Sequence, residues 1–412
     1  MTSFGVAFFG VSILLVKSID GTSTQKRSHA NNIKNPITHN QANRRLQHNN
    51  QVSTPPKINQ KIFTPTVTGS NVQNILKKKN PNFWVVDQKG SKDSDSSNFA
   101  EVYLNAKEGE TIKVKEGTYQ LPNNLSKNKI SIIGLSDNIN KVIFTNPPKR
   151  SIKIETSKMS FKNLSIIDTG SSFFFLNIEK GNIEFINTFI SSESNTTLFN
   201  FRPRSQALIK SSMISTHNLG RAVKCTQCNL RITESKIINN NKGIYISDKA
   251  KLQVNSTDMI NNKTGLYVAN HSEANVKNSK FINNQDYGIF LASGEVSLND
   301  SIIGTSRTGI TLRPNTELNI NNTQILESQN YGIFAANGSR IESSSGLDIV
   351  NGGAPFSISD NAYMNLGKCK ITGNIKKAYI AGQAVLNSNN CIALDEELKV
   401  NRLPTSIFKI KR

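Results

Sequence analysis

K-G-I-Y-I at 242–246, T-G-L-Y-V at 264–268, Y-G-I-F-L at 287–291, T-G-I-T-L at 308–312 and Y-G-I-F-A at 331–335 are five copies of one phrase. Their glycines, Gly243, Gly265, Gly288, Gly309 and Gly332, stand 22, 23, 21 and 23 residues apart. A second phrase follows each of the first four, an aliphatic, a small polar pair and more aliphatics: V-N-S-T-D-M-I at 254–260, V-K-N-S-K-F-I at 276–282, L-N-D-S-I-I at 298–303 and I-N-N-T-Q-I-L at 320–326. A fixed period in the twenties marks stacked supersecondary units rather than one globule.

Within G-I-Y-I, alternation of period two sends Ile244 and Ile246 to one face and Tyr245 to the other, which is strand behaviour. The unit is too short for a helix-crossed repeat but holds two or three short strands and their turns. Each strand would pair with its copy in the next coil, about 4.8 Å away. The L-x-x-L-x-L-x-x-N run of a leucine-rich repeat is absent. The period therefore predicts an all-β fold, a parallel β-helix solenoid of about eleven coils with 21–24 residues each. A solenoid lengthens without dividing, so one folded body is expected from the 412 residues.

Outside the repeat the chain changes character. Residues 4–16 form an apolar run broken only by Gly5, Gly10 and Ser12. That is short for a membrane span and suits a secretory signal, so 1–21 reads as a signal peptide or, uncleaved, a short membrane anchor. Residues 22–80 are rich in Asn, Gln, Ser, Thr and Lys, the composition of a disordered basic linker. The formal net charge is +21, but ten Lys and Arg lie between residues 26 and 79 with no acid from 22 to 86, which leaves +11 for 87–412. Such a leader is read as solvated, with no specific nucleic-acid partner.

Residues 83–394 are assigned to the β-helix and 395–412 to a C-terminal cap or tail. F-W-V-V-D at 83–87 reads as the first strand. Residues 98–106 put Phe99, Val102, Tyr103 and Ala106 on one helical face, with Asn98 as N-cap and Gly109 as stop. This helix would cover the open end of the solenoid, where core and strand edges are exposed.

The stretch that follows, E-G-E-T-I-K-V-K-E-G-T-Y at 108–119, K-I-S-I-I-G-L at 129–135 and K-V-I-F at 141–144, resembles the opening coil of the right-handed parallel β-helix superfamily. That superfamily includes pectin lyases, pectin methylesterases, alginate epimerases and related carbohydrate-binding modules. The resemblance implies a right-handed solenoid and an acidic polysaccharide or cell-surface glycan as partner. It does not select a reaction.

Aligning the second phrases gives a polar column, Asn163, Asn187, Ser211, Glu234, Ser256, Asn278, Asp300, Asn322 and then Ser343, beside a column of mostly Ser and Thr. Side-chain amides and hydroxyls satisfy turn backbone, so the column reads as structural. Cys369 and Cys391 are 22 residues apart, one coil, so stacking places them within disulfide range. Cys225 and Cys228 read as a local disulfide or two reduced thiols. No metal and no cofactor is assigned.

The residue two after each glycine points outward: Tyr245, Tyr267, Phe290, Thr311 and Phe334. With Tyr287 and Tyr331 the aromatics make a face on which sugar rings could stack. The alternative is an aromatic surface covered by a loop or a second subunit, in a non-catalytic surface scaffold or homo-oligomer. No complete catalytic signature of the superfamily is present. A lyase or epimerase needs a base beside a carboxylate and cations to neutralise it, and Tyr267, His271, Arg307 and Arg313 are the group near the aromatic face with those chemistries. Export to the cell surface or medium follows from the N-terminal run.

Overall fold

The computed structural model describes residues 76–170, 173–373, 378–393, 401–402 and 407–411. The expected signal segment, nearly all of the linker and residues 395–400, 403–406 and 412 of the expected C-terminal cap or tail lie outside the described residues. From the first described residues the chain is already engaged: Lys78 reaches Glu110 at 2.8 Å, and the backbone N–H of Lys79 donates to Asp95 at 2.6 Å.

Among the described residues every strand pairing is parallel, and each strand pairs with its copy one coil away. The first sheet runs from Phe83–Val86 through Thr111–Val114 and Ile130–Gly134 to Ile407–Lys411. The second starts at Gly117–Gln120 and reaches Cys391–Ala393; the third starts at Asn124–Leu125 and reaches Asn401–Arg402. The result is a parallel β-solenoid of about twelve turns. The phrase repeat counts short because the last coils lose its glycine: Ala354–Ile358 pairs with Tyr331–Ala335 and places Pro355 where Gly332 stands. Parallel pairing also continues past residue 394, with Val385–Asn389 against Ile407–Lys411.

The repeated glycines are demanded by close approach of backbones. A Cβ on Gly243 would lie 2.5 Å from the Gly265 carbonyl oxygen, on Gly265 2.6 Å from that of Gly288, and on Gly288 2.7 Å from that of Gly309. Each coil therefore occupies the space that a side chain of the preceding coil would fill. Inward, Ile244, Leu266, Ile289, Ile310 and Ile333 are fully buried in one continuous core.

Corners use polar side chains. The column Asn163, Asn187, Ser211, Glu234, Ser256, Asn278, Asp300 and Asn322 has φ between +47° and +56°, so it is the left-handed bend between the first and second sheets. Ser343 does not continue it; it ends the strand Arg340–Ser343 and pairs with Leu366. The neighbouring hydroxyls are buried and accept the backbone N–H of the coil before: Thr188 N to Ser212 Oγ at 3.1 Å, and Ser279 N to Ser301 Oγ at 3.1 Å. At the next corner Asn240, Asn262 and Asn284 form a fully buried ladder. Asn262 Oδ1 accepts from Asn240 N at 3.1 Å and Asn240 Nδ2 at 2.8 Å, and Asn262 itself donates to Asn284 Oδ1 at 3.1 Å. These bonds satisfy turn amides that no sheet could reach.

The helix expected over 98–106 spans Phe99–Asn105, with Asn98 Oδ1 accepting from Ala100 N at 2.9 Å and Phe99, Val102 and Tyr103 buried. Cys369 and Cys391 are register partners with Cα atoms 4.3 Å apart and are bonded, and Cys225 is bonded to Cys228.

Candidate functional site

The third sheet presents two outward columns. One passes through Phe174, Thr197, Arg221, Lys242, Thr264, Tyr287, Thr308 and Tyr331 in successive register. The other passes through Asn177, Asn200, Lys224, Tyr245, Tyr267, Phe290, Thr311 and Phe334. From Arg221 and Lys224 onward the columns carry two chemistries in sequence along the solenoid, cations first and aromatics after.

The aromatics are stacked upon one another. Tyr245 and Tyr267 have ring centroids 5.2 Å apart at 24°, and Tyr267 and Phe290 4.9 Å apart at 16°. Tyr287 meets Phe290 edge-on at 4.9 Å, and beyond the Thr311 break Tyr331 and Phe334 pair at 5.6 Å. The coil spacing itself imposes this stack, because rings in register one coil apart are at van der Waals distance. In the run from Tyr245 to Phe290, ring faces are thus turned onto one another, and Phe290 is only 8% exposed. A sugar approaching this run meets ring edges and tyrosine hydroxyls.

Cations close the stack. The Arg221 guanidinium lies 4.7 Å from the Tyr245 centroid, Lys242 Nζ 4.7 Å from that of Tyr267, and the Arg313 guanidinium 5.7 Å from that of Phe290. Burial lowers the Arg221 pKa. Burial and then repulsion from Arg221 lower Lys242, and burial, Arg221 and Arg202 lower Lys224. Beside these cations a cleft of about 620 Å³ opens, lined by Phe173, Phe174, Asn195, Thr196, Thr197, Leu219, Gly220, Arg221, Asn241 and Lys242.

The residues expected to carry catalysis are spread over this face. Tyr267 sits mid-column, its hydroxyl pKa raised by burial and by Tyr245 and drawn down by Arg313 two coils on. His271 is exposed on the left-handed turn after that strand, its backbone N–H on Ser293 Oγ at 3.3 Å. Arg307 and Arg313 flank the strand Thr308–Leu312, and Arg307 Nη2 is engaged by Asp286 at 2.8 Å. The fold thus brings Arg313 into electrostatic reach of Tyr267, while Arg307 is tied at the other end of its strand. The phrase repeat misses Arg221, Lys224 and the two phenylalanines, because R-A-V-K at 221–224 has Ala222 where the phrase has glycine. Counting back one period from K-G-I-Y is the signal that finds the first two.

A family model described as periplasmic copper-binding protein (NosD) matches residues 206–376. Copper would need thiolate, imidazole or thioether donors gathered in one place. Within that span the cysteines are in disulfides, Met259 and Met364 are in the core, Met213 is half-buried at the start of its strand on the second sheet, and His217 and His271 stand at different corners. Among the described residues no three potential metal ligands cluster, so no step is drawn through a metal. No curated protein matches the sequence. Among solved structures, the Agl-KA catalytic domain is matched at 16% identity with a TM-score of 0.52, over 82% of this chain and 70% of that one. A GH87 alpha-1,3-glucanase catalytic unit from Streptomyces thermodiastaticus is matched at 11% identity and TM-score 0.49, over 82% and 69%. The Azotobacter vinelandii mannuronan C-5 epimerase AlgE6 A-module is matched at 8% identity and TM-score 0.35, over 74% and 92%. Pairing, corner ladders and the first of these likenesses agree on one architecture, and by its fold this chain is a parallel β-helix protein with no specific enzyme family assigned.

Proposed function

We propose that the chain binds an acidic polysaccharide along the outer face of the third sheet, outside the cytoplasm. The observation that carries this reading is the row Arg221, Lys224 and Lys242, cations on adjacent coils beside Tyr245 and Tyr267. The ion pairs formed nearby, Arg202 with Glu179 and Lys263 with Asp286, use other cations. A partly desolvated row of this kind attracts a regularly spaced polyanion. Tyrosine hydroxyls and ring edges at Tyr245, Tyr267, Tyr287 and Tyr331 supply hydrogen bonds and apolar contact, with Phe290 and Phe334 beneath or beside them. The two disulfides suit an oxidising compartment, and residues 1–21 would direct export or anchor the chain in a membrane.

Binding without turnover is the simpler form of the proposal. A tyrosine base needs a lowered pKa, whereas burial raises that of Tyr267. Lyase or epimerase chemistry through Tyr267, with His271, Arg307 and Arg313 in support, is the catalytic form of the same proposal. Affinity retention on polyuronates and neutral glycans, read also for unsaturated product, tests both. Retention on polyuronates alone, weakened by salt, is expected; no retention on any glycan removes the proposal.

A second reading is a non-catalytic scaffold assembled from copies of the chain. It is favoured by an outward column on the second sheet, Ile238, Ile260, Ile282, Gly304, Leu326 and Val350, aliphatic but for Gly304, the last 42% exposed. Sedimentation would show an oligomer that Ile260→Lys dissociates, and a monomer at all concentrations would exclude it.

A further inference from the structure

The cleft beside the cation row has an incomplete lining. Arg221 Nε is buried and has no hydrogen-bond partner among the described residues. A guanidinium nitrogen so placed costs free energy unless a ligand accepts from it. Lys242, the register partner of Arg221 on the next coil, lines the same cleft, and the two like charges hold one another at a disadvantage that burial increases. Phe174 stands two coils before Arg221 in the same column and lines the cleft with Phe173, which is 76% exposed, an unusual placement for a phenylalanine. Asn195 and Asn241 add amides to the lining. Two cations at one end of the lining and two phenylalanines at the other match a small ring that bears an oxyanion.

We propose that this cleft is a subsite for one carboxylate-bearing sugar ring, with the carboxylate on Arg221 and Lys242 and the ring against Phe173 and Phe174. The sugar half of this assignment rests on the polysaccharide reading; the anion half stands without it. The Arg221 fork, its Nε–H included, donates to a planar carboxylate in a geometry that a lysine there could not reproduce.

The test is calorimetric titration of the full chain with glucuronate, its neutral methyl ester, glucose, acetate and inorganic sulfate, repeated on polyuronate. Glucuronate is expected to bind, its ester and glucose not. Arg221→Gln and Lys242→Gln should each weaken glucuronate by roughly tenfold or more, the loss of a charge-assisted bond. Arg221→Lys should also weaken it, because the charge remains and the Nε donor does not. Phe173→Ala, an exposed change that spares the core, should weaken glucuronate several-fold and leave acetate unchanged. Polyuronate held equally by the wild type and both glutamine variants would overturn the subsite and leave polysaccharide binding standing only at residues other than Arg221 and Lys242. Arg221-dependent binding of acetate or sulfate with no gain for glucuronate would overturn the sugar half alone. No binding of any anion would overturn the subsite, and with no glycan retained the functional reading falls too.

Discussion

Lys242 Nζ stands 4.7 Å from the ring centroid of Tyr267 on the next coil and 5.6 Å from that of Tyr245 on its own strand. The ammonium is held by two rings of the aromatic stack, an attraction worth about 0.5–2 kcal/mol depending on desolvation. Arg221 covers Tyr245 from the preceding coil. The stack thus positions the cations through aromatic rings rather than carboxylates, so the two chemistries of this face work as one surface.

That surface has a defined pH dependence. Burial and neighbouring cations hold Lys242 and Lys224 below the usual lysine value of 10.5. Their protonated forms attract polyanions, so polyuronate affinity should fall as pH rises through these lowered values, before ordinary lysines titrate. The unfolded chain binds more protons in that window, so these two groups make folding more favourable as pH rises through it. Dissociation constants measured from about pH 7 to 10.5 check this, and Lys242→Met should flatten the curve. Affinity independent of pH up to about 10 would contradict it.

Gly265→Ala should destabilise the solenoid. The new Cβ would lie 2.6 Å from the Gly288 carbonyl and 2.9 Å from Phe281 Cδ1, both packed atoms. Overpacking of this kind costs about 1–3 kcal/mol. Gly352→Ala, which meets nothing within 4 Å, is the control and should be near neutral by urea denaturation. Equal midpoints for the two variants would show that the glycine column is not required by packing.

Asn262→Ala should cost more than its size suggests. It strands the Asn240 backbone amide, takes one of the Asn240 side-chain bonds and removes the donor that bonds the Ile237 carbonyl at 3.0 Å. Each buried group left unpaired costs about 1–3 kcal/mol. Hydrogen exchange should speed at the corners of the adjacent coils first, and protection unchanged there would refute a structural role for the ladder.

Trp84 reports on the capped end, being the one tryptophan in the chain. Its indole donates to Glu110 Oε2 at 2.6 Å, and Lys78 pairs with the other oxygen at 2.8 Å. Burial pushes the Glu110 carboxyl up, but Lys78, the Lys107 amide and the indole together hold it below 4.5. A depressed carboxylate contributes stability that is present above its unfolded value and lost as pH falls through the folded one. Trp84 emission should therefore shift to the red as pH drops below about 4.5, and Glu110→Gln should remove that step. Constant wild-type emission down to about pH 3 would rule this linkage out.

Sequence alone determined the solenoid, its period and its inward and outward faces. The reason is that coils stack by identical residues in register, so a glycine or an aliphatic that recurs every 21–23 residues has to meet its own copy. The same logic paired Cys369 with Cys391 and set the bend at Asn163 to Asn322. Asn240, Asn262 and Asn284 were equally periodic, yet only the folded chain distinguishes a buried ladder from the exposed asparagines beside it. Tertiary structure alone decided which way the aromatic rings face, because a side chain's position follows from period whereas its ring orientation follows from contact with the next coil. It also decided that Arg221, Lys242, Phe173 and Phe174, drawn from three coils, surround one cleft. Function on a solenoid surface is assembled across coils, and only the packing of those coils brings its parts together.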